Sequence, residues 1–136
     1  MEAFLGDWVS IRDEVDWTPF MKASGMDDEK IEFYNKLDKE HDTIMTFAKE
    51  GDGYIFKSES GPVKYSLNFQ LGKPYEMTFD EMNITGIFKL ENGALIDESK
   101  ISGNNATVTS RTISGDTMVA DSTTGGITLS RSYKKK

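Results

Sequence analysis

Alternation of apolar and polar residues dominates the chain from Tyr54 onward. Short runs rich in Ile, Val, Thr, Phe and Tyr are interrupted by turn signals such as Asn92-Gly93 and Gly125-Gly126. Successive side chains of a strand point to opposite faces, and Gly and Asn tolerate the backbone angles of tight hairpins. The pattern therefore predicts an antiparallel meander with strands near 5–12, 44–50, 53–59, 63–70, 75–80, 84–91, 94–101, 105–113, 116–123 and 127–134.

The connection between the first two strands has helical periodicity instead. Trp17, Phe20 and Met21 recur at i, i+3 and i+4, which places them on one face of a helix. We predict a short helix there, with Asp16 as its cap and Gly25 at its end.

A second helix is predicted to follow directly. Asp27 or Asp28 can cap it, and Ile31, Tyr34 and Leu37 form an apolar stripe along it, with Phe33 as a weaker candidate member. A sheet of ten strands tends to curl and hide its edges, and a meander can close into an up-and-down barrel. The fold class is therefore all-β, with the helix pair lying across one mouth of the barrel as a lid.

Length and composition favour a hollow barrel over a solid one. The 136 residues suffice for one domain, 1–136, and only 37% of them are apolar. A chain with so few apolar side chains can line a partly wet cavity more readily than it can fill a dry core.

Charge and residue usage exclude several classes of protein. A net charge of -7 argues against a nucleic-acid partner, because such binding needs a basic face. The chain has no cysteine, no apolar run of membrane-spanning length and no pattern typical of a signal peptide at its start. We therefore expect a monomeric cytosolic protein.

Catalysis and metal binding have little support. His41 is the only histidine and lies in a charged run, where a solvent-facing role is expected. No G-x-S-x-G element, phosphate-binding loop or dinucleotide fingerprint occurs. We expect no enzyme activity, no cofactor and no metal site.

Three residues near the end of the chain carry the candidate chemistry. Arg131 and Tyr133 are two apart on a predicted strand, so their side chains share a face, and Arg111 lies on the pair of strands before it. If all three face inward, a carboxylate ligand would satisfy them. Spacing alone equally allows the two arginines to lie on the outer surface of the barrel.

A runner-up function is a small protein-interaction module with a filled interior. Several residues expected on the inner face of the last strands are too small and polar to fill a barrel, which favours a cavity. They are Thr107, Thr109, Ala120, Ser122 and Ser130.

Motifs along nearly the whole chain resemble those of the intracellular lipid-binding proteins, the family of the cytosolic fatty-acid-binding proteins. The opening 3–8 is similar to that family's first strand, and 16–22 to its first helix. Phe69-Gln70-Leu71-Gly72 matches a recurring F-x-L-G, and Arg131-Ser132-Tyr133 matches its terminal R-x-Y. Arg111 precedes Arg131 by the separation expected of the family's two ligand-binding arginines.

The resemblance implies a barrel of two orthogonal sheets with a helix-turn-helix cap, enclosing one lipid. It implies that Arg111, Arg131 and Tyr133 hold the carboxylate of a long-chain fatty acid or a similar hydrophobic acid. It also implies that another set of residues lines the cavity or its entrance: Trp17, Phe20, Met21 and Ala120.

The second helix departs from the family pattern. The segment from Asp27 to Asp42 is strongly acidic and lacks the basic residue and Lys-Pro step that the family carries there. An acidic lid is repelled by anionic membranes at low salt, so we expect membrane contact to be transient at most.

Overall fold

The computed structural model describes residues 1–11, 16–79, 82–101 and 105–136. Its elements, after a short 3-10 turn at Glu2–Phe4, are the helices α1 (Thr18–Ser24) and α2 (Asp28–Glu40) and the strands β1 (Gly6–Ser10), β2 (Thr43–Glu50), β3 (Gly53–Ser60), β4 (Val63–Phe69), β5 (Pro74–Phe79), β6 (Met82–Glu91), β7 (Ala94–Ile101), β8 (Ala106–Ser114), β9 (Thr117–Thr124) and β10 (Ile127–Lys135). The ten predicted strands agree with these bounds to within two residues. Arg12 and Asp80, the last residues of two predicted strands, lie outside the described residues.

All ten strands belong to one antiparallel hydrogen-bonded order, β4-β3-β2-β1-β10-β9-β8-β7-β6-β5. The first and last strands of the chain meet in it, with Trp8 opposite Lys135. The two ends of the order, β4 and β5, also approach each other. The predicted up-and-down barrel capped by two helices is therefore confirmed, and it is nearly closed.

The turn chemistry explains why the strands follow one another so tightly. Asn92 and Gly93, between β6 and β7, have φ angles of 51° and 82°. A two-residue hairpin of this kind needs positive φ at both central positions, which Asn and Gly tolerate best. The local sequence thus determines which strands become neighbours.

The start of α1 differs by one residue from the prediction. Trp17 occupies the cap position with an α-helical backbone and no capping hydrogen bond from its side chain. The Asp16 carboxylate, one position earlier, accepts a hydrogen bond from the Thr18 amide at 3.0 Å. Gly25 ends the helix in the left-handed conformation, as predicted.

In α2 the cap is Asp27, whose carboxylate accepts a hydrogen bond from the Lys30 amide at 2.9 Å. Ile31 and Leu37 of the predicted stripe are buried and Tyr34 is half-buried, whereas Phe33, the weaker candidate, is exposed. The stripe therefore faces the barrel, as its periodicity indicates. None of the helices in the described part of the chain is long and apolar enough to span a membrane.

The lid, meaning α1 and α2 together, is attached to the barrel chiefly through α1. The Asn105 side chain donates a hydrogen bond to the Ala23 carbonyl at 2.7 Å. Gly125 lies so close to that carbonyl that a Cβ on it would be 3.0 Å from the oxygen. Between the helices, the Asn35 amide donates to the Thr18 hydroxyl at 2.8 Å. Helix α1 is thus fixed to the strands, and α2 rests on α1.

An apolar cluster fills part of the barrel interior. Trp8, Phe47, Phe88, Leu95 and Met118 have almost no solvent exposure, and aromatic rings contact one another across the interior. The cluster does not fill the whole barrel. Two cavities lined by described residues lie beside it, and the buried Arg131 and Arg111 line one each.

Candidate functional site

The two late arginines lie in one row across three neighbouring strands. Arg111 on β8 is opposite Ala120 on β9, and Ala120 is opposite Arg131 on β10. All three side chains are buried, with exposures of 5%, 6% and 5%. Neighbouring strands are ~4.8 Å apart, so the two arginine Cα atoms are separated by roughly 10 Å. The small alanine between them leaves room inside the barrel for two guanidinium groups.

Arg131 and Tyr133 share the inner face of β10, because they are two residues apart in a strand. Together with Trp17 and Met21 of α1 and Tyr34 and Leu37 of α2 they line a cavity of about 290 Å³ under the lid, which we call the lid cavity. Burial raises the pKa of the Tyr133 phenol, and the positive charges of Arg131 and Arg111 oppose that rise.

Arg131 has a partner from the lid. Its Nη1 donates to Oδ1 of Asp38 on α2, and the indole Nε1 of Trp17 donates to Oδ2 of the same carboxylate at 3.3 Å. The guanidinium carbon lies 5.7 Å from the centroid of the Trp17 ring. One carboxylate from the protein itself therefore accepts hydrogen bonds from both the arginine and the indole.

Arg111 lines a second interior cavity of about 220 Å³, which we call the deep cavity. Its guanidinium carbon lies 5.6 to 6.0 Å from the ring centroids of Phe47, Phe56 and Phe88. No side chain or backbone group in the described ranges accepts a hydrogen bond from its buried Nε and Nη1. Those two donors are available to molecules that enter the cavity.

An acidic residue lies in the deep cavity beside Arg111. Asp97 accepts a hydrogen bond at 2.9 Å from the hydroxyl of Tyr75. Burial raises the pKa of the Asp97 carboxyl, against the opposing effects of the Arg111 charge and the Tyr75 hydrogen bond. The pKa of Tyr75 is also raised, first by burial and then by the Asp97 charge. The polar end of the deep cavity thus combines one cation, one acid and one phenol.

The two cavities share one wall, since Tyr65 lines both. Burial raises the pKa of this phenol as well. Apolar side chains form much of the remaining deep lining, among them Leu67, Met77 and Ile84. A larger depression of about 610 Å³ is lined by residues of α1 and α2, and these include exposed lysines and acids. The interior pair, as formed by the described residues, instead joins buried charge to an apolar lining.

The structure brings most of the predicted site residues together, but in two groups. Arg131, Tyr133, Trp17 and Met21 line the lid cavity, while Arg111 lines the deep one. Two further residues lie beside these walls. Ala120 separates the arginines in the sheet, and Phe20 is half-buried with its ring edge-on to Trp17 at 6.1 Å.

One predicted inner residue faces outward. Ser130 is exposed and donates a hydrogen bond to the exposed Asp121 carboxylate. It precedes Arg131, and neighbours in a strand point to opposite faces, so an inward arginine requires an outward serine. Thr107, Thr109 and Ser122 do lie on the inner face.

Sequence reasoning missed the two acids that accompany the arginines, although signals for both exist. Asp97 is two residues from Leu95 on the same strand, so alternation places both on the inner face. Asp38 follows Ile31 by seven positions and therefore lies on the α2 stripe. In each case an acid occurs at a position where the pattern calls for an apolar residue.

The single histidine is less exposed than predicted. His41 is half-buried, and its ring lies so close to Gly61, in the turn between β3 and β4, that a Cβ there would be 2.5 Å from it. Across the described ranges, no three His, Cys, Asp or Glu side chains are grouped so that they could hold a metal ion.

Two curated relatives have the same kind of name. The chain is 26% identical over 136 residues to a 14 kDa fatty acid-binding protein of Schistosoma mansoni, covering 99% of this chain and 98% of the relative. It is 31% identical over 84 residues to a liver fatty acid-binding protein of Lethenteron camtschaticum, covering 61% of this chain and 73% of the relative. No family model matches the chain.

Solved structures with the same fold come from proteins of different names. A secretory abundant heat soluble protein 4 from Ramazzottius varieornatus superposes with a TM-score of 0.86 at 25% identity, over 100% of this chain and 96% of that one. A Schistosoma mansoni fatty acid binding protein in complex with arachidonic acid gives a TM-score of 0.84 at 24% identity, over 100% and 98%. The barrel, the helix pair and the similarity to named relatives agree, and the chain belongs to the fatty-acid-binding protein family.

Proposed function

We propose that the protein is a carrier that binds one long-chain fatty acid, or a similar hydrophobic carboxylate, inside the barrel. The observation that carries the proposal is the buried pair of arginines in one row, with two donors of Arg111 that no described protein group accepts. A buried guanidinium favours a carboxylate over a neutral head group, because it donates charge-assisted hydrogen bonds to both carboxylate oxygens.

Each part of the site has a role in this proposal. Arg111, Arg131 and the Tyr133 hydroxyl hold the head group, and the apolar lining of the two cavities holds the tail. Each buried CH₂ contributes about 0.8 kcal/mol, which is partly offset by the ordering of the chain. Trp17, Phe20, Met21 and Ala120 shape the space around the head group. The two cavities argue against the alternative of an interaction module with a filled interior.

The relatives support this reading by their names, and one of the structures contains arachidonic acid, itself a fatty acid. We extend the proposal to a single domain over 1–136 that works as a monomer in the cytosol without enzyme activity, cofactor or metal. Its partner is the lipid and not a nucleic acid, and its membrane contact is transient.

Mass spectrometry of the purified protein tests the proposal directly. We expect the native protein to carry a fatty acid at about one per chain, which is released on denaturation and recovered in an organic extract. After delipidation, the protein should bind a fluorescent fatty-acid analogue, and palmitate should displace it. A protein that carries no acid and binds no analogue would instead support the interaction module.

A further inference from the structure

Asp38 is an inward-facing carboxylate of the lid helix α2. Arg131 donates to one of its oxygens and Trp17 to the other, and the guanidinium carbon lies 5.7 Å from the centroid of the Trp17 ring. The Asp38 side chain is 20% exposed and that of Arg131 only 5%. The carboxylate therefore has the partners and setting that a bound fatty-acid head group would need at Arg131.

A ligand carboxylate cannot share this position with Asp38. Two negative charges a few ångströms apart repel strongly where water is largely excluded. Arg111 differs, because no described group accepts a hydrogen bond from its buried Nε or Nη1, whereas Arg131 lacks an acceptor at its buried Nε alone. Of the two arginines, Arg131 is the one whose guanidinium donates to a protein carboxylate.

The same contact joins α2 to the sheet. Helix α2 packs mainly on α1, and the Asp38–Arg131 ion pair links it directly to β10. Replacing the Asp38 carboxylate on Arg131 would remove that link, while the bonds that fix α1 to the barrel would remain. Head-group binding and loosening of α2 would then occur together.

We propose that Asp38 is the counter-ion of Arg131 in the ligand-free protein and that a ligand carboxylate must displace it. Asp38 then lowers the affinity of the site for acids, and binding of an acid releases α2 from the sheet. This inference rests on the proposed function. A lipid with a neutral head group has no need of the Arg131 charge and leaves the ion pair in place. Asp38 therefore determines how strongly the site prefers acids over neutral lipids.

Asp38→Asn tests the inference, since it keeps the size and an acceptor for Trp17 but removes the charge. Glu40→Gln on the exposed side of the same helix is the matched control. Each delipidated protein is titrated with palmitate and with its methyl ester. We expect Asp38→Asn to bind palmitate at least tenfold more tightly than the wild type and the ester within threefold. Glu40→Gln should match the wild type for both.

Hydrogen exchange gives an independent measurement. In the wild type, palmitate should increase amide exchange in α2, whereas the ester should not. In ligand-free Asp38→Asn, exchange in α2 should already be raised, and palmitate should add little. Asp38→Ser serves as a second variant if Asp38→Asn does not fold, with the same expected gain.

Different results overturn the two proposals separately. If the wild type binds palmitate and Asp38→Asn binds it equally or more weakly, Asp38 does not compete with the ligand and this inference is wrong. A gain of equal size for the ester would also overturn it, because the effect would not depend on ligand charge. If neither wild type nor Asp38→Asn binds palmitate, the proposed function fails and the inference with it.

Discussion

Arg111→Met removes the positive charge of the deep cavity while keeping much of the length and the apolar packing of the side chain. The guanidinium of Arg111 is surrounded by the rings of Phe47, Phe56 and Phe88. A methionine thioether packs well against aromatic rings and adapts to irregular space. The variant should therefore fold, and its effect on binding should report the charge alone.

The expected loss follows from the donors that Arg111 offers. A hydrogen bond to a charged group contributes roughly 1.5–3 kcal/mol, and every ~1.4 kcal/mol is a tenfold change in affinity. If one of the two free nitrogens holds the carboxylate, palmitate affinity should fall about 10- to 150-fold. If both nitrogens hold it, the loss should exceed this range. The methyl ester should change by less than threefold.

Isothermal titration of the delipidated protein with palmitate and with its methyl ester measures the affinity for the acid and the affinity for the neutral ester. Lys100→Met, which removes a positive charge from an exposed position on β7, is the matched control and should alter neither affinity. Arg111→Lys should keep part of the preference for the acid. Equal losses for acid and ester would refute the reasoning, since Arg111 would then shape the cavity without pairing with the head group. Unchanged palmitate binding would place the carboxylate elsewhere.

Two further predictions concern the stability of the barrel and of the lid. Burial raises the pKa of Asp97, so the folded state binds more protons than the unfolded state between the unfolded pKa of about 3.9 and this raised pKa. Over that range the free energy of unfolding falls as pH rises, and the loss persists at higher pH. Asp97→Asn, whose side-chain oxygen still accepts the Tyr75 hydrogen bond, should have a higher free energy of unfolding in urea than the wild type at pH 7. That difference should shrink towards pH 4, and a difference that does not vary with pH would contradict the reasoning. Asp27→Ala removes the cap on the Lys30 amide and should destabilise α2 by about 1 kcal/mol. Amide hydrogen exchange should then be faster than in the wild type in α2 but not in the sheet. Exchange rates in α2 that equal those of the wild type would show that the cap contributes nothing.

Local patterns were sufficient to predict the strands and the lid. Hairpin glycines and period-two alternation are properties of a few consecutive residues, which is why every strand was found to within two residues. The cap of α1 was misplaced by one residue because Asp16 can bond the Thr18 amide equally well from just outside the helix. The inward direction of Arg111 was not decided by spacing, since it depends on the register between neighbouring strands.

Pairings between distant elements were the part that the sequence did not reveal. Asp38 and Arg131 are separated by 93 positions, and their contact exists only because α2 lies over β10. The division of the interior into two cavities likewise depends on where the Tyr65 ring lies after the barrel has closed. Ser130 was misassigned for a simpler reason, because it cannot face inward when its neighbour Arg131 does.

The position of β10 in the sheet affects the order in which parts of the protein fold. Although it is the last of the ten strands to leave the ribosome, β10 lies in the middle of the sheet, between β1 and β9. A nascent chain that stops before Ile127 can pair β1 to β4 and β5 to β9, but no strand then bridges β1 and β9 by hydrogen bonds. The same missing segment carries Arg131 and Tyr133. Closure of the sheet and completion of the head-group site are therefore a single late event, and contacts so distant in sequence form slowly.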